Sequence, residues 1–253
     1  MQVQNVAYEY LERLEEPVSF VDAHLHLDLF AAPNEIIGES RSRGIETMIT
    51  AGGSMRSNIE TLKLVGRNGV FGVVGISPDF ADKEKERLKE VKDVIMKSPS
   101  IVGIGEIGLD RKISPDLHVQ EEVFREQLRL AKELDLPVVI HSRKAIEEVI
   151  TIMKEEKVQR AMMHFFEGDV QEVEKLSNIK FLISISPGES SKKKRVIRNV
   201  SIDKIVAESD SPAAAKFPWS VIDTYELIAK IKGLSIRECA YQIQENIKNF
   251  FQI

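Results

Sequence analysis

The chain has 253 residues, 43% hydrophobic and 30% charged, which supports a sizeable core and excludes a disordered protein. A formal net charge of −5 excludes holding long nucleic acid by general electrostatics, though it leaves room for local attraction of phosphate by a metal. A single cysteine, Cys239, excludes an internal disulfide and a cysteine-rich zinc cluster; no stretch approaches the about 18 apolar residues of a membrane span, and the opening MQVQNVAYEYLERLEEP lacks the basic start and apolar run of a signal peptide, so a cytoplasmic or similarly reducing location is expected.

Val3, Val6, Ala7, Tyr10, Leu11 and Leu14 share one helical face, and Pro17 ends it. This predicts a helical extension over 1–17 ahead of one domain over 18–253. From Val18 the chain alternates short Val- and Ile-rich runs with helical patterns. There are eight runs: Val18–His26, Glu46–Gly53, Val70–Ser77, Ile101–Gly108, Pro137–Arg143, Arg160–Phe166, Phe181–Pro187 and Lys204–Asp210. Several are nearly continuous in apolar residues, as parallel strands covered on both faces are. Helices are predicted over Lys83–Ser98, Gln120–Leu134, Ala145–Val158 and Asp169–Ser177, and two more over Pro218–Phe251, broken at Gly233. Ser235 and Glu238 make a capping box for the last, where Cys239 is read as core. Eight β–α units in this length predict an α/β chain closed into a (β/α)8 TIM barrel, with an open doubly wound sheet as the runner-up.

The predicted strand ends carry the chemistry. The first ends Asp22-Ala23-His24-Leu25-His26, and alternation turns His24 and His26 to one face. Imidazole is a common ligand for divalent metals, so two on one face make half a site. In the fourth run the apolar stretch stops at Glu106, an acid that needs a partner or a cation. In the fifth it stops at His141 and in the sixth at His164. The eighth ends Glu208-Ser209-Asp210, with Asp210 assigned to the metal and Glu208 to a supporting role behind it, or to a barrel-mouth ion pair with Arg143. Of five histidines only His118 falls elsewhere, in a loop, and it is expected to be exposed. Four imidazoles and two carboxylates exceed what one catalytic zinc needs. They suit two metals sharing a carboxylate, with Glu106 as the bridge. Ligands of nitrogen and oxygen without thiolate admit zinc, manganese, magnesium or iron.

These residues resemble the TatD family of metal-dependent deoxyribonucleases, within the amidohydrolase-like superfamily. The motifs that match are DAHLHLD at 22–28, GEIGLD at 105–110, PVVIHSR at 137–143, MHFFEG at 163–168 and ESDSP at 208–212, with Gln120 and Gln127 ahead of the fifth strand. The resemblance runs from about Val18 to the C-terminus. It implies that His24, His26, Glu106 and Asp210 hold one divalent ion, and that Glu106, His141 and His164 hold a second. It further implies hydrolysis of DNA phosphodiesters, with Glu106 and Asp210 catalytic. The chain departs from the family pattern in three places. Gly75-Ile76-Ser77-Pro78-Asp79 stands where a G-x-H-P-H turn is common, Lys144 stands where an acid follows HSR, and the loop Ala213–Trp219 is short.

The mechanism expected is water activated by metal, with Asp210 taking the proton or orienting the nucleophile. Arg143 binds a phosphate oxygen through its planar fork, or else forms a rim salt bridge. A basic run, Ser190-Ser191-Lys192-Lys193-Lys194-Arg195 with Arg198, follows the seventh strand, where barrel phosphate sites often lie. It reads as a solvated face or as a local phosphate-binding patch. Phe165, Phe166, Phe217 and Trp219 fall near mouth loops, to stack on a base or to fill the rim. DNA is thus the expected substrate, with no membrane and no obligate protein partner. A small ester, amide or phosphate is the alternative substrate, and a non-catalytic partner-binding barrel the third reading.

Overall fold

The computed structural model describes residues 17–253, so the helical extension expected over 1–17 lies outside the described residues except for Pro17. Eight strands follow in order: β1 Phe20–Leu25, β2 Ile45–Ala51, β3 Val70–Val74, β4 Ile101–Asp110, β5 Val138–Arg143, β6 Arg160–Met163, β7 Lys180–Ile185 and β8 Ile205–Ala207. Each pairs in parallel with the next, in sequence order. The ring closes just beyond β8, where Asp210 N donates to His24 O at 3.0 Å and His26 N donates to Ser211 O at 2.8 Å. The expected closed (β/α)8 barrel is therefore what forms, and the open sheet is set aside.

Helices cover the outside: α1 Pro33–Ser42, α2 Met55–Leu64, α3 Leu88–Ile95, α4 Leu117–Glu133, α5 Ile146–Glu155, α6 Val170–Glu174, α7 Ser191–Asn199, α8 Val221–Lys232 and α9 Ile236–Phe251. The helix expected over Lys83–Ser98 is broken into a turn at Ala81–Glu84, a 3-10 turn at Lys85–Arg87, and α3. Asp82–Arg87 carries no apolar residue to seat against the sheet. Glu84 is instead drawn to the start of α2, where its carboxylate accepts from Met55 N at 2.6 Å. At the far end the capping box forms as expected, Ser235 and Glu238 bonding each other's backbone N–H. Gly233, at φ 68°, ends α8 in the left-handed region that glycine enters at least cost. Cys239 is buried in the core.

Two contacts position the strands that matter most. Phe20 N bonds Gly44 O on the β2 side, so the backbone groups of Val21 face the other edge, toward β8. There the Tyr225 hydroxyl of α8 accepts from Val21 N at 3.0 Å and donates to Val21 O at 2.8 Å. Gly108 of β4, at φ 140°, lies so close to β5 that a Cβ would stand 2.0 Å from His141 O. Only glycine permits that approach, which brings the chain after Glu106 against the strand that carries His141.

Candidate metal centre

His24 lies in β1 and His26 just past it, and alternation aims both rings into the C-terminal mouth, with centroids 4.9 Å apart. β4 contributes Glu106, β5 contributes His141, and His164 and Asp210 follow the ends of β6 and β8. All six residues meet. Glu106 Oε2 stands 3.6 Å from both His24 Nε2 and His26 Nε2, while its Oε1 stands 2.7 Å from His141 Nδ1 and 3.1 Å from His164 Nε2. Each oxygen of one carboxylate thus faces its own pair of imidazole nitrogens. Asp210 Oδ1 is 3.3 Å from His26 Nε2 and 4.0 Å from His24 Nε2. Three sets, His24–His26–Glu106, Glu106–His141–His164 and His24–His164–Glu208, bring their donor atoms close enough to share an ion.

A cation fits this donor set. Both ring nitrogens of His24, Nδ1 of His164 and Oδ1 of Asp210 are buried without a hydrogen-bond partner. Such groups each cost about 1–3 kcal/mol when left unmade. Crowded acceptors with little to accept from are what a metal site looks like to protein atoms alone.

The surrounding shell aims the rings. His26 Nδ1 lies 3.1 Å from Ala51 O, which fixes that nitrogen as the donor and turns the Nε2 lone pair toward Glu106 and Asp210. His141 Nε2 lies 3.0 Å from Asp110 Oδ2, which frees Nδ1 in the same way. Asp110 is itself held by Lys112 N at 2.7 Å, and its backbone N–H by Gln120 Oε1 at 2.8 Å. Glu208 accepts from Phe165 N at 2.7 Å and from the Ser184 hydroxyl, and stands 3.5 Å from His164 Nδ1. It therefore faces inward behind His164, and the ion pair with Arg143 considered from sequence does not form. Asp22 accepts from Ser209 N at 2.8 Å and from the Ser209 hydroxyl at 2.5 Å, tying β1 to the segment that carries Asp210.

Proton affinities follow from this crowding. Burial, with His164 alongside, lowers the pKa of His24. Burial works the same way on His26, but Asp210 and Glu106 outweigh it and push that ring up to about 9. Glu106 is held well below the usual carboxylate range: burial opposes this, but His164, His141 and His24 prevail. His141 and His164 are raised against burial, chiefly by Glu106. In the metal-free protein, protons on imidazole supply the positive charge that the carboxylates demand.

Around this cluster the sequence expectations divide. Arg143, at the exposed end of β5, has no carboxylate partner among the described residues and lines a cavity of about 340 Å³ with His141, His164 and Asp210. His118 is exposed and pairs with Glu122 at 3.3 Å, away from the site. Phe217 and Trp219 stack on each other at 4.4 Å with Arg43 over the indole, so they fill the rim. Phe166 is buried, while Phe165 faces the mouth cavities. Gln120 and Gln127 are buried and bond backbone, Gln120 at Asp110, the end of β4, and at Pro115, and Gln127 holding Ile76 on both sides. Sequence reasoning passed over Asp22 and Asp110. Both stand an even number of residues from a chosen residue on the same strand, Asp22 two before His24 and Asp110 four after Glu106, so strand parity was a signal for each.

The model of the family described as TatD related DNase matches residues 21–252. The chain is 29% identical over 254 residues to the metal-dependent hydrolase YabD of Bacillus subtilis, covering 92% of this chain and 98% of that protein. It is 26% identical over 262 residues to human deoxyribonuclease TATDN3, covering 92% and 95%. The solved structure of the TatD homologue YJJV from Escherichia coli superposes with a TM-score of 0.83 at 22% identity, covering 92% and 98%.

Proposed function

The chain belongs to the TatD-related DNase family and is a metal-dependent hydrolase, and from that premise we propose that it cleaves DNA phosphodiester bonds at a centre gathered around Glu106 that would hold divalent ions. His24, His26, Glu106 and Asp210 would hold one ion, and Glu106, His141 and His164 would hold a second. The observation that carries this is the Glu106 carboxylate, each oxygen of which faces a separate pair of ring nitrogens. Residues 18–253 make up the hydrolase unit.

Divalent ions in such a site polarise a phosphoryl oxygen and lower the pKa of a water molecule. The residues supply the rest. Asp210, whose Oδ1 faces the centre 3.3 Å from His26 Nε2, takes the proton from water as the water oxygen attacks phosphorus. The bond from phosphorus to the departing oxygen breaks, and the proton held by Asp210 is available to that oxygen. Arg143 grips a non-bridging phosphate oxygen with its planar guanidinium. Asp110, Glu208 and the Ala51 carbonyl keep the rings of His141, His164 and His26 aimed, so little reorganisation is needed at the reacting moment.

Similarity to the human deoxyribonuclease supports DNA as substrate. A small ester, amide or phosphate is the second reading. It is favoured by the wall of the larger mouth cavity, where Ser77 and Asp79 stand and no histidine follows β3. The test is to strip the protein of metal, add labelled single-stranded DNA, and restore magnesium, manganese or zinc singly. Cleavage that returns with metal, and that His24→Ala and Glu106→Ala both abolish, is the expected result. No cleavage by protein shown to bind metal would overturn the DNA assignment.

A further inference from the structure

The basic run after β7 is largely consumed by its own neighbourhood. Lys193 Nζ folds back onto Ser186 O at 2.7 Å, Pro187 O at 2.9 Å and Gly188 O at 2.8 Å. Lys194 pairs with Glu189, and Arg195 with Asp169. Within Lys192–Arg195, Lys192 is left, exposed and without an ion-pair partner among the described residues. It lines a cavity of about 330 Å³ with Lys144, which follows β5 and is likewise exposed and unpaired. Two acids also line this cavity. Glu189 is already paired with Lys194, and Glu167 is exposed with no ion-pair partner among the described residues. Lys144, Lys192 and Lys193 against these two acids still leave the lining of the cavity with an excess of positive charge.

Phe165 and Glu167 are walls of this cavity and also of the one that holds Arg143, His141, His164 and Asp210. The two cavities abut, and Phe165, which follows His164 directly, divides them. Arg143, Lys144 and Lys192, none with an ion-pair partner among the described residues, thus form one run of cations leading away from the candidate metal centre, with Glu167 the acid on the wall between the two cavities, in a chain whose net charge is −5. The opposite side of the mouth differs. Its cavity of about 640 Å³ contains Asp28 and Asp79, neither with a cation at ion-pair distance among the described residues, against one arginine, Arg56. A strand of phosphates is attracted to the first side and repelled by the two acids of the second.

We propose that Lys144 and Lys192 form a phosphate track beside the centre, which holds the backbone of a single nucleic-acid strand on one side of the scissile bond while Phe165 offers a face to a base. This rests on the DNA reading above. It adds where the strand lies and which residues of this chain hold it. Single-strand sites commonly combine a cationic groove with an aromatic platform. Loose lysine contacts add affinity in proportion to the phosphates neutralised, with little sequence preference.

The test measures binding of fluorescein-labelled oligothymidylates, an octanucleotide and a dinucleotide, by anisotropy in EDTA, so that nothing is cleaved. The full chain is compared with Lys144→Glu/Lys192→Glu and with Lys97→Glu/Lys157→Glu, a control of equal charge in loops at the other end of the barrel. The track double variant should bind the octanucleotide about tenfold more weakly or worse at about 50 mM salt, with the slope of log K against log salt shallower by about 1.4, the value for two single-strand phosphate contacts. The dinucleotide should shift by about twofold or less, and the control should bind both as the parent does. Lys144→Gln/Lys192→Gln serves in the same assay if charge reversal impairs folding. Unchanged octanucleotide binding in the track variants overturns the track. If the parent also cleaves the octanucleotide when metal is restored, the DNA reading survives that loss. A parent that neither binds nor cleaves the octanucleotide, yet hydrolyses bis(p-nitrophenyl) phosphate, overturns both.

Discussion

Glu106 sits among four imidazoles, and its charge is tolerable only because each oxygen is shared. The residues behind the rings decide whether those rings present lone pairs or N–H groups. Asp110 is the clearest case, since its Oδ2 takes the Nε2 side of His141 and leaves Nδ1 for the centre. Asp110→Asn keeps the shape but can donate where the carboxylate only accepted. It should weaken metal binding by about 10–100-fold. Titration calorimetry checks this. Protonation gives a second expectation at this scale. His26 is raised from 6.5 to about 9 in the metal-free protein. A raised histidine contributes stability that is whole below its ordinary value and is lost as pH rises through about 9. An incoming cation must displace that proton, so metal affinity should rise with pH across the same window and level off above it. Calorimetry near neutral pH in two buffers of different ionisation heat should find protons released; none released would contradict the assignment. Cys239, raised to about 12 by burial, should resist thiol reagents at pH 8 until the chain unfolds, because the thiolate is the reacting species.

The strands were readable because each lies between helices outside and packed side chains within, so nearly every position of β1, β4 and β7 is buried and most are apolar or glycine. Helices written in mixed charge were harder to bound. Asp82–Arg87 reads as helix by propensity, yet without an apolar anchor its path is set by the bond from Glu84 to Met55. Tyr225 illustrates a contact between elements that no local pattern reveals. Tyr225→Phe leaves Val21 N and O unpaired inside the seam between β1 and β8. It should lower unfolding free energy by about 1–3 kcal/mol in urea melts, with little change in the denaturant slope.

For the whole molecule, closure of the barrel and assembly of the centre are one event. The bonds that shut the ring join Asp210 to His24 and His26 to Ser211, so residues almost two hundred positions apart, Asp22 and Ser209 among them, become neighbours only in the closed barrel. A cation bound to that closed state and not to the unfolded chain stabilises it by mass action, by about 2.7 kcal/mol at a hundred times its dissociation constant. Adding the working metal should therefore raise the melting temperature of the parent, and Glu106→Ala should lose most of that rise. Eight apolar runs, the spacing of His24 and His26 and the polar residues that end four other runs were determined by the sequence itself, because strand alternation and burial on both faces are local and leave their mark on each segment. Which carboxylate oxygen faces which ring, that Glu208 turns inward to His164 and away from Arg143, and that Lys192 alone of Lys192–Arg195 stays unpaired at the mouth were decided only in the tertiary structure. Those outcomes depend on distances between strands and loops far apart in the chain, and a linear pattern holds no such distances.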